Sequence, residues 1–137
     1  MGRLPLYGCE RGAAAVEFAL VLPLFLMLLF GIVDFSRAFN IQLTLSDAAA
    51  EGARTLSAGG TAAAAHAAAD SALLATSVSP ADVTYPTTVT CSPTAAPGTA
   101  TASMTVATRD FQFLTPLIGS LFAGLRITGS AARQCSS

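Results

Sequence analysis

The most chemically informative residue is Glu17, a single acidic side chain near the start of a long apolar run. A carboxylate inside a membrane segment costs a few kcal/mol or more unless it is paired. Cleavage after Gly12 would create a partner, because the new amine of Ala13 and the Glu17 carboxylate would share one helix face. A neighbouring subunit's amine would serve equally well. Glu17 lies only about 6 Å along the helix from Ala13. The alternative is therefore that its side chain has no such partner and extends toward the cytoplasmic headgroups.

A second constellation is the pair His66 and Asp70, four residues apart in an Ala-rich stretch. It is either half of a metal site or base–orienter pair, or a solvated pair on a helix surface. The chain has one histidine, and it contains no glycine-rich phosphate loop, CxxC or HExxH motif, which favours the solvated pair. We therefore expect no enzymatic activity, no bound metal and no cofactor.

The three cysteines divide into one near the N-terminus, Cys9, and two in the C-terminal region, Cys91 and Cys135. A disulfide between the last two suits an oxidising compartment. It would close a loop of about 45 residues and stabilise the fold by about 3–4 kcal/mol in the chain-entropy model. The alternative is two free buried thiols.

The apolar run that holds Glu17 covers residues 13–33. A helix of that length spans about 31 Å, which matches the hydrocarbon core of a bilayer. The run is too long and too uniformly apolar for the buried helix of a soluble protein. Pro23 cannot donate a backbone hydrogen bond to the Ala19 carbonyl, so a kink is expected there. Arg3 and Arg11 precede the run, and positive charge keeps that end cytoplasmic.

After the run, the sequence predicts that the same helix continues to residue 57. Apolar side chains recur at helical spacing, while charged residues lie on other faces. The apolar positions are Ile41, Leu45, Ala48, Ala49 and Leu56. Gly59 and Gly60 end the helix. Thr61 is suited to cap a second helix over residues 62–75.

Three strands are predicted in the remaining chain, at residues 82–91, 100–106 and 126–133, with the first two forming a hairpin. Pro86 makes the first strand an edge or interrupted strand, and Met104 marks the half-buried face of the second. The apolar cluster at residues 111–125 is either a core-packing loop with a short helix or a patch that touches a partner or the membrane surface. The net charge of −1 gives no footprint for nucleic acid.

The predicted fold class is therefore α+β, with a long N-terminal transmembrane and amphipathic helix, a short helix and a small antiparallel sheet of about three strands. We divide the chain into a cytoplasmic leader (1–12), a transmembrane helix (13–33), its continuation outside the membrane (34–60) and a small extracytoplasmic domain (61–137).

A family resemblance is carried by Arg11-Gly12 and the following AAAVEF, which look like a class III (type IV) prepilin peptidase site. That family cuts after Gly and carries Glu at the fifth mature position, here Glu17. Phe18 stands where Flp-type pilins often have Tyr. The longer string AAAVEFALVLPLFLMLLFGIVDFSRAF, with EGAR at residues 51–54, closely resembles the TadE-like pseudopilins of tight-adherence (Tad/Flp) pilus systems.

The resemblance implies a minor pilin or pseudopilin that takes part in initiating, priming or capping a Tad/Flp-type pilus after cleavage between Gly12 and Ala13. It implies a single-pass protein of the bacterial inner membrane with an extracytoplasmic C-terminal domain. Its expected partners are other pilins, the Tad inner-membrane assembly platform, the prepilin peptidase and membrane lipid. The alternative is a signal-anchored binding module of the cell envelope, in which Gly12 and Glu17 are incidental.

Overall fold

The computed structural model describes residues 10–76, 78–91, 100–114, 119–120 and 124–136. Most of the predicted leader lies outside these residues. The elements follow the order α1 (Glu10–Ser57), α2 (Ala62–Leu74), a short 3₁₀ turn (Pro80–Asp82), β1 (Val83–Val89), β2 (Thr101–Thr108) and β3 (Thr128–Gln134). This arrangement confirms the predicted α+β class.

Helix α1 runs without a break through both the apolar run and the amphipathic stretch, as the sequence predicted. Its end is set by Gly59, which has a φ of +86°, a conformation that glycine adopts without the steric cost of a Cβ. The N–H of Gly60 donates to the Thr55 carbonyl at 3.0 Å. We call residues 12–33 of α1 the apolar half and residues 34–57 the packed half.

Helix α2 begins where the sequence predicted, because the Thr61 hydroxyl accepts a hydrogen bond from the Ala64 N–H at 3.2 Å. This bond satisfies one of the free N–H groups of the first turn. The buried side chains of α2, Ala65, Ala69 and Leu73, recur every four residues and form one narrow face. Their small size allows α2 to lie close beside the packed half of α1.

The sheet is antiparallel with the strand order β1-β2-β3. The predicted pairing of the first two strands is confirmed, and β1 is an edge strand. Its register against β2 shifts between Thr84 and Thr87, on either side of Pro86, whose missing N–H cannot join the ladder. Both outcomes expected from Pro86, an edge position and an interruption, therefore occur together.

The hydrophobic core lies between the packed half of α1, α2 and the sheet. Its largest completely buried side chains are Leu45, Leu56, Leu73, Met104 and Val106. The remaining helix positions in the core are alanines, so the sheet comes very close to the helix. At Gly129 of β3, an added Cβ would collide with the α1 backbone.

The far end of the domain, where α1 ends, is joined to the C-terminal tail. Cys91 and Cys135 form a disulfide with their Cα atoms 5.9 Å apart. The Ser136 N–H donates to the Ser57 carbonyl at 3.0 Å. These links fix the last strand to the last turn of α1, at the end of the domain opposite the apolar half.

Candidate functional site

The apolar half presents large hydrophobic side chains to its surroundings on every side. Leu20 is 75% exposed and Leu24 is 71% exposed, and no residue of its most apolar window is buried. Within the described part of the chain, α1 is the one helix long and apolar enough to cross a membrane. A surface of this kind requires lipid or other apolar helices around it.

The predicted cleavage and pairing residues all lie on this exposed surface. Gly12, Ala13, Glu17 and Phe18 are exposed and helical, with Glu17 one turn beyond Ala13. Among the described residues, no cation lies within ion-pair distance of the Glu17 carboxylate. The pairing of Glu17 with an N-terminal amine therefore stays a prediction, as does a kink at Pro23, which lies inside α1.

Asp34, at the start of the packed half, has a role that the sequence analysis did not identify. It is 3% exposed, and its Oδ1 accepts a hydrogen bond from the Leu114 N–H at 3.0 Å. The Arg37 guanidinium lies 3.9 Å from the same oxygen. Asp34 thus ties the loop after β2 to α1 at the point where the apolar half ends. In the sequence, this role could have been suspected because Asp34 is the one acidic residue between Glu17 and Asp47.

Two adjacent clefts lie beside Asp34 at this end of the domain, which we call the base. One has a volume of about 450 Å³ and the other about 610 Å³, and they share Arg37, Ile41 and Val78. Carboxylates line only the first, where they balance the charges of Arg37 and Arg109. These carboxylates belong to Asp82 and Asp110. The second cleft extends to Ile32 and Val33 of the apolar half.

The pair His66 and Asp70 is not a freely solvated pair, so that prediction is wrong. The Tyr85 ring stacks on the His66 ring at 4.3 Å, and the Tyr85 hydroxyl donates to Asp70. His66 Nε2 lies 3.0 Å from the Thr88 hydroxyl. Burial, the hydrogen bond and the Asp70 charge raise the pKa of Tyr85. These contacts of His66 and Asp70 hold α2 against β1. The described residues contain no cluster suited to hold a metal.

The apolar cluster predicted at residues 111–125 divides between core and surface in its described part. Phe111 is buried and meets the Phe113 ring edge-to-face at 4.8 Å. Leu114 and Leu125 are exposed. Residues 115–118 and 121–123 lie outside the described residues, so the choice between the two interpretations stays open for them.

Comparison with known proteins gives one result that bears on this helix. A family model described as "TadE-like protein" matches residues 12–54, which include both halves of α1 nearly to its end. Neither a curated protein nor a solved structure matches the chain. The matched family is a structural one rather than an enzyme family. The match confirms the resemblance carried by α1: this segment is TadE-like, consistent with a TadE-like pilin of Tad pili.

Proposed function

We propose that this protein is a minor pilin or pseudopilin that takes part in initiating, priming or capping a Tad/Flp-type pilus, and that it has no catalytic activity. The observation that carries the proposal is the construction of α1. All large side chains of its apolar half are exposed, while its packed half runs through the core of a small domain. Such a subunit presents one helix for insertion or lateral packing and carries a rigidly attached domain beyond it.

In this proposal, the apolar half spans the bacterial inner membrane with its N-terminus cytoplasmic and the domain outside. A prepilin peptidase cleaves between Gly12 and Ala13. Both residues of this bond lie within the segment that matches the TadE-like family, residues 12–54. Cleavage releases the leader and leaves the membrane helix on the mature chain.

The new amine at Ala13 then pairs with a Glu17 carboxylate, either in the same chain or in a neighbouring pilin. Inside lipid or a helical bundle, an unpaired carboxylate is costly. A neighbour that supplies the amine therefore binds in the axial register that brings the two charges together. Because Asp34 and the packed half fix the domain to α1, the register of the helix also sets the height of the domain.

The pairing role predicts that Glu17→Gln inserts normally but recovers less of its partner pilins when it is purified from membranes. The matched control is Glu51→Gln, which neutralises another exposed carboxylate on the same helix, one that pairs with Arg54 at 3.9 Å. Glu51→Gln should recover its partners at the level of the parent. Equal recovery by both variants would contradict the role of Glu17 in assembly.

A second candidate function is a signal-anchored binding module, which the paired clefts at the base favour. In that function the apolar half is a plain anchor, and Gly12 and Glu17 carry no information. The two candidates differ in their mature N-terminus, since a plain anchor retains Met1 or Gly2. They also differ in whether a generic membrane helix can replace residues 12–33.

A further inference from the structure

We infer that the base of the domain rests on the outer surface of the bilayer, with Leu114 and Leu125 entering the boundary between headgroups and acyl chains. The partner is the lipid bilayer itself. The inference rests on the proposed insertion of the apolar half and goes beyond it, because a single-pass anchor does not require its domain to touch the membrane.

The height of Leu114 relative to the membrane is fixed by a hydrogen bond. Val33 ends the apolar half, and Asp34 follows it directly. The Leu114 N–H donates to Asp34 Oδ1 at 3.0 Å, so the Leu114 backbone lies at the level where α1 leaves the hydrocarbon. An apolar side chain at that level enters the interface without displacing the domain.

Leu114 is well placed to do so, because its side chain is 58% exposed. Leu125 is 41% exposed and adjoins the same loop, since its carbonyl accepts a hydrogen bond from the Phe111 N–H at 3.0 Å. In water, these two leucines would gain nothing from their position. At the membrane boundary, each buried leucine contributes to binding in proportion to the apolar area removed from water.

The exposed apolar side chains at this height are not confined to one side of the molecule. Phe35 is 73% exposed, and its position on α1 is one residue beyond Asp34 and about 100° around the helix axis from it. Aromatic side chains commonly mark the membrane–water interface. Exposed apolar side chains beside Asp34 and on a second face of α1 fit a bilayer, which surrounds the helix.

Charged groups lie in the layer just above these apolar side chains. Arg37 lies about 4.5 Å farther along α1 than Asp34, and it lines one cleft together with Arg109. Asp82 and Asp110 line the same cleft, so its charges balance. An apolar tip below a layer of balanced charge follows the order of acyl chains and zwitterionic headgroups in a leaflet. No anionic lipid is needed.

The test uses the absence of tryptophan from the chain, which makes each introduced Trp a unique fluorophore. The mature chain carrying Leu114→Trp is reconstituted into phosphatidylcholine vesicles. The acyl chains are brominated either near the headgroup or near the methyl end, because bromine quenches only nearby Trp. Leu125→Trp is a second reporter on the same surface. Equal thermal unfolding midpoints establish that each variant retains the parent fold.

Two control positions bracket the measurement. Leu24→Trp reports from the middle of the apolar half, and Val89→Trp reports from an exposed apolar position on β1. Val89 pairs with Ser103, near the disulfide end of the domain. We expect shallow bromines to quench the Trp at position 114 most strongly, deep bromines to quench the Trp at position 24, and neither to quench the Trp at position 89.

The outcomes separate this inference from the proposed function. If both reporters at the base keep their full fluorescence while Leu24→Trp is quenched, the apolar half spans the bilayer but the base stands clear of it, and the inference is overturned. If Leu24→Trp is not quenched by either lipid, membrane insertion itself is contradicted. Quenching at position 89 equal to that at position 114 would show a domain lying on its side, which also overturns the inference.

Discussion

The two halves of α1 form one uninterrupted helix, yet the chain buries the apolar side chains of one half and leaves those of the other exposed. In the packed half, the apolar positions are mostly small, and Leu45, Ala48, Ala49, Ala53 and Leu56 are fully buried by the chain itself. In the apolar half, the side chains are large and the chain buries none of its most apolar window. The packed half therefore finds its partners within the domain, whereas the apolar half needs partners that only lipid or other subunits supply.

This difference predicts that substitutions in the two halves have different kinds of effect. Substitutions in the packed half act on the free energy of unfolding of the domain, because close packing of a helix against a sheet tolerates little change in volume. In the proposed function, substitutions in the apolar half act on insertion, cleavage and association. Matched substitutions in the two halves, and others that loosen the packed domain, therefore test this difference.

The largest contrast is expected between Leu45→Ala and Leu24→Ala. Leu45 is fully buried, so its truncation leaves a cavity and should destabilise the domain by about 2–5 kcal/mol. Leu24 is 71% exposed, so its truncation should change the domain's stability by less than about 0.5 kcal/mol. Urea unfolding in detergent, followed by far-ultraviolet circular dichroism, measures both. Similar losses in the two variants would mean that the halves are energetically one unit.

A second contrast compares two glycines, Gly31 in the apolar half of α1 and Gly129 in β3, which packs against the packed half. A Cβ at Gly129 would collide with the backbone of α1 between Leu45 and Ser46, whereas a Cβ at Gly31 would meet nothing within 4 Å. Because a backbone cannot rotate away, Gly129→Ala should destabilise the domain by about 1–3 kcal/mol. Gly31→Ala should leave it unchanged. A Gly129→Ala domain as stable as the parent would contradict the close approach of β3 to α1.

The smallest effect is expected from Tyr85→Phe, which removes the hydrogen bond to Asp70 and should cost about 0.5–1.5 kcal/mol. Because the folded state raises the pKa of Tyr85, it favours the protonated phenol. This contribution is fully present below the unfolded pKa of about 10 and is lost as the pH rises above it. Tyr85→Phe should therefore lose less stability than the parent between neutral and strongly alkaline pH, as measured by urea midpoints. An identical alkaline loss in both would exclude Tyr85 as its source.

Much of the fold was predictable because its signals are local. The end of α1 at Ser57, the Thr61 cap of α2, the Met104 face of β2 and the interruption at Pro86 each follow from a residue type at a fixed place. The boundaries differ by few residues for the helices, with α1 beginning at Glu10 rather than Ala13.

The candidate site was less predictable, since its contacts join residues far apart in the chain. Asp34 accepts from an amide 80 positions later, and periodicity along one segment cannot identify such a partner. The same limit explains the wrong prediction for His66 and Asp70. Their spacing correctly placed them on one helix face, but their contacts with Tyr85 and Thr88 depend on how β1 returns to α2.

The most direct test of the proposed function is the intact mass of the protein purified from cells with and without a prepilin peptidase. Cleavage between Gly12 and Ala13 predicts a mature chain that begins at Ala13 when the peptidase is present and a full-length chain when it is absent. A mass that includes Met1 or Gly2 in both cells would contradict processing. The apolar half would then be a plain anchor, with Glu17 facing no new terminus.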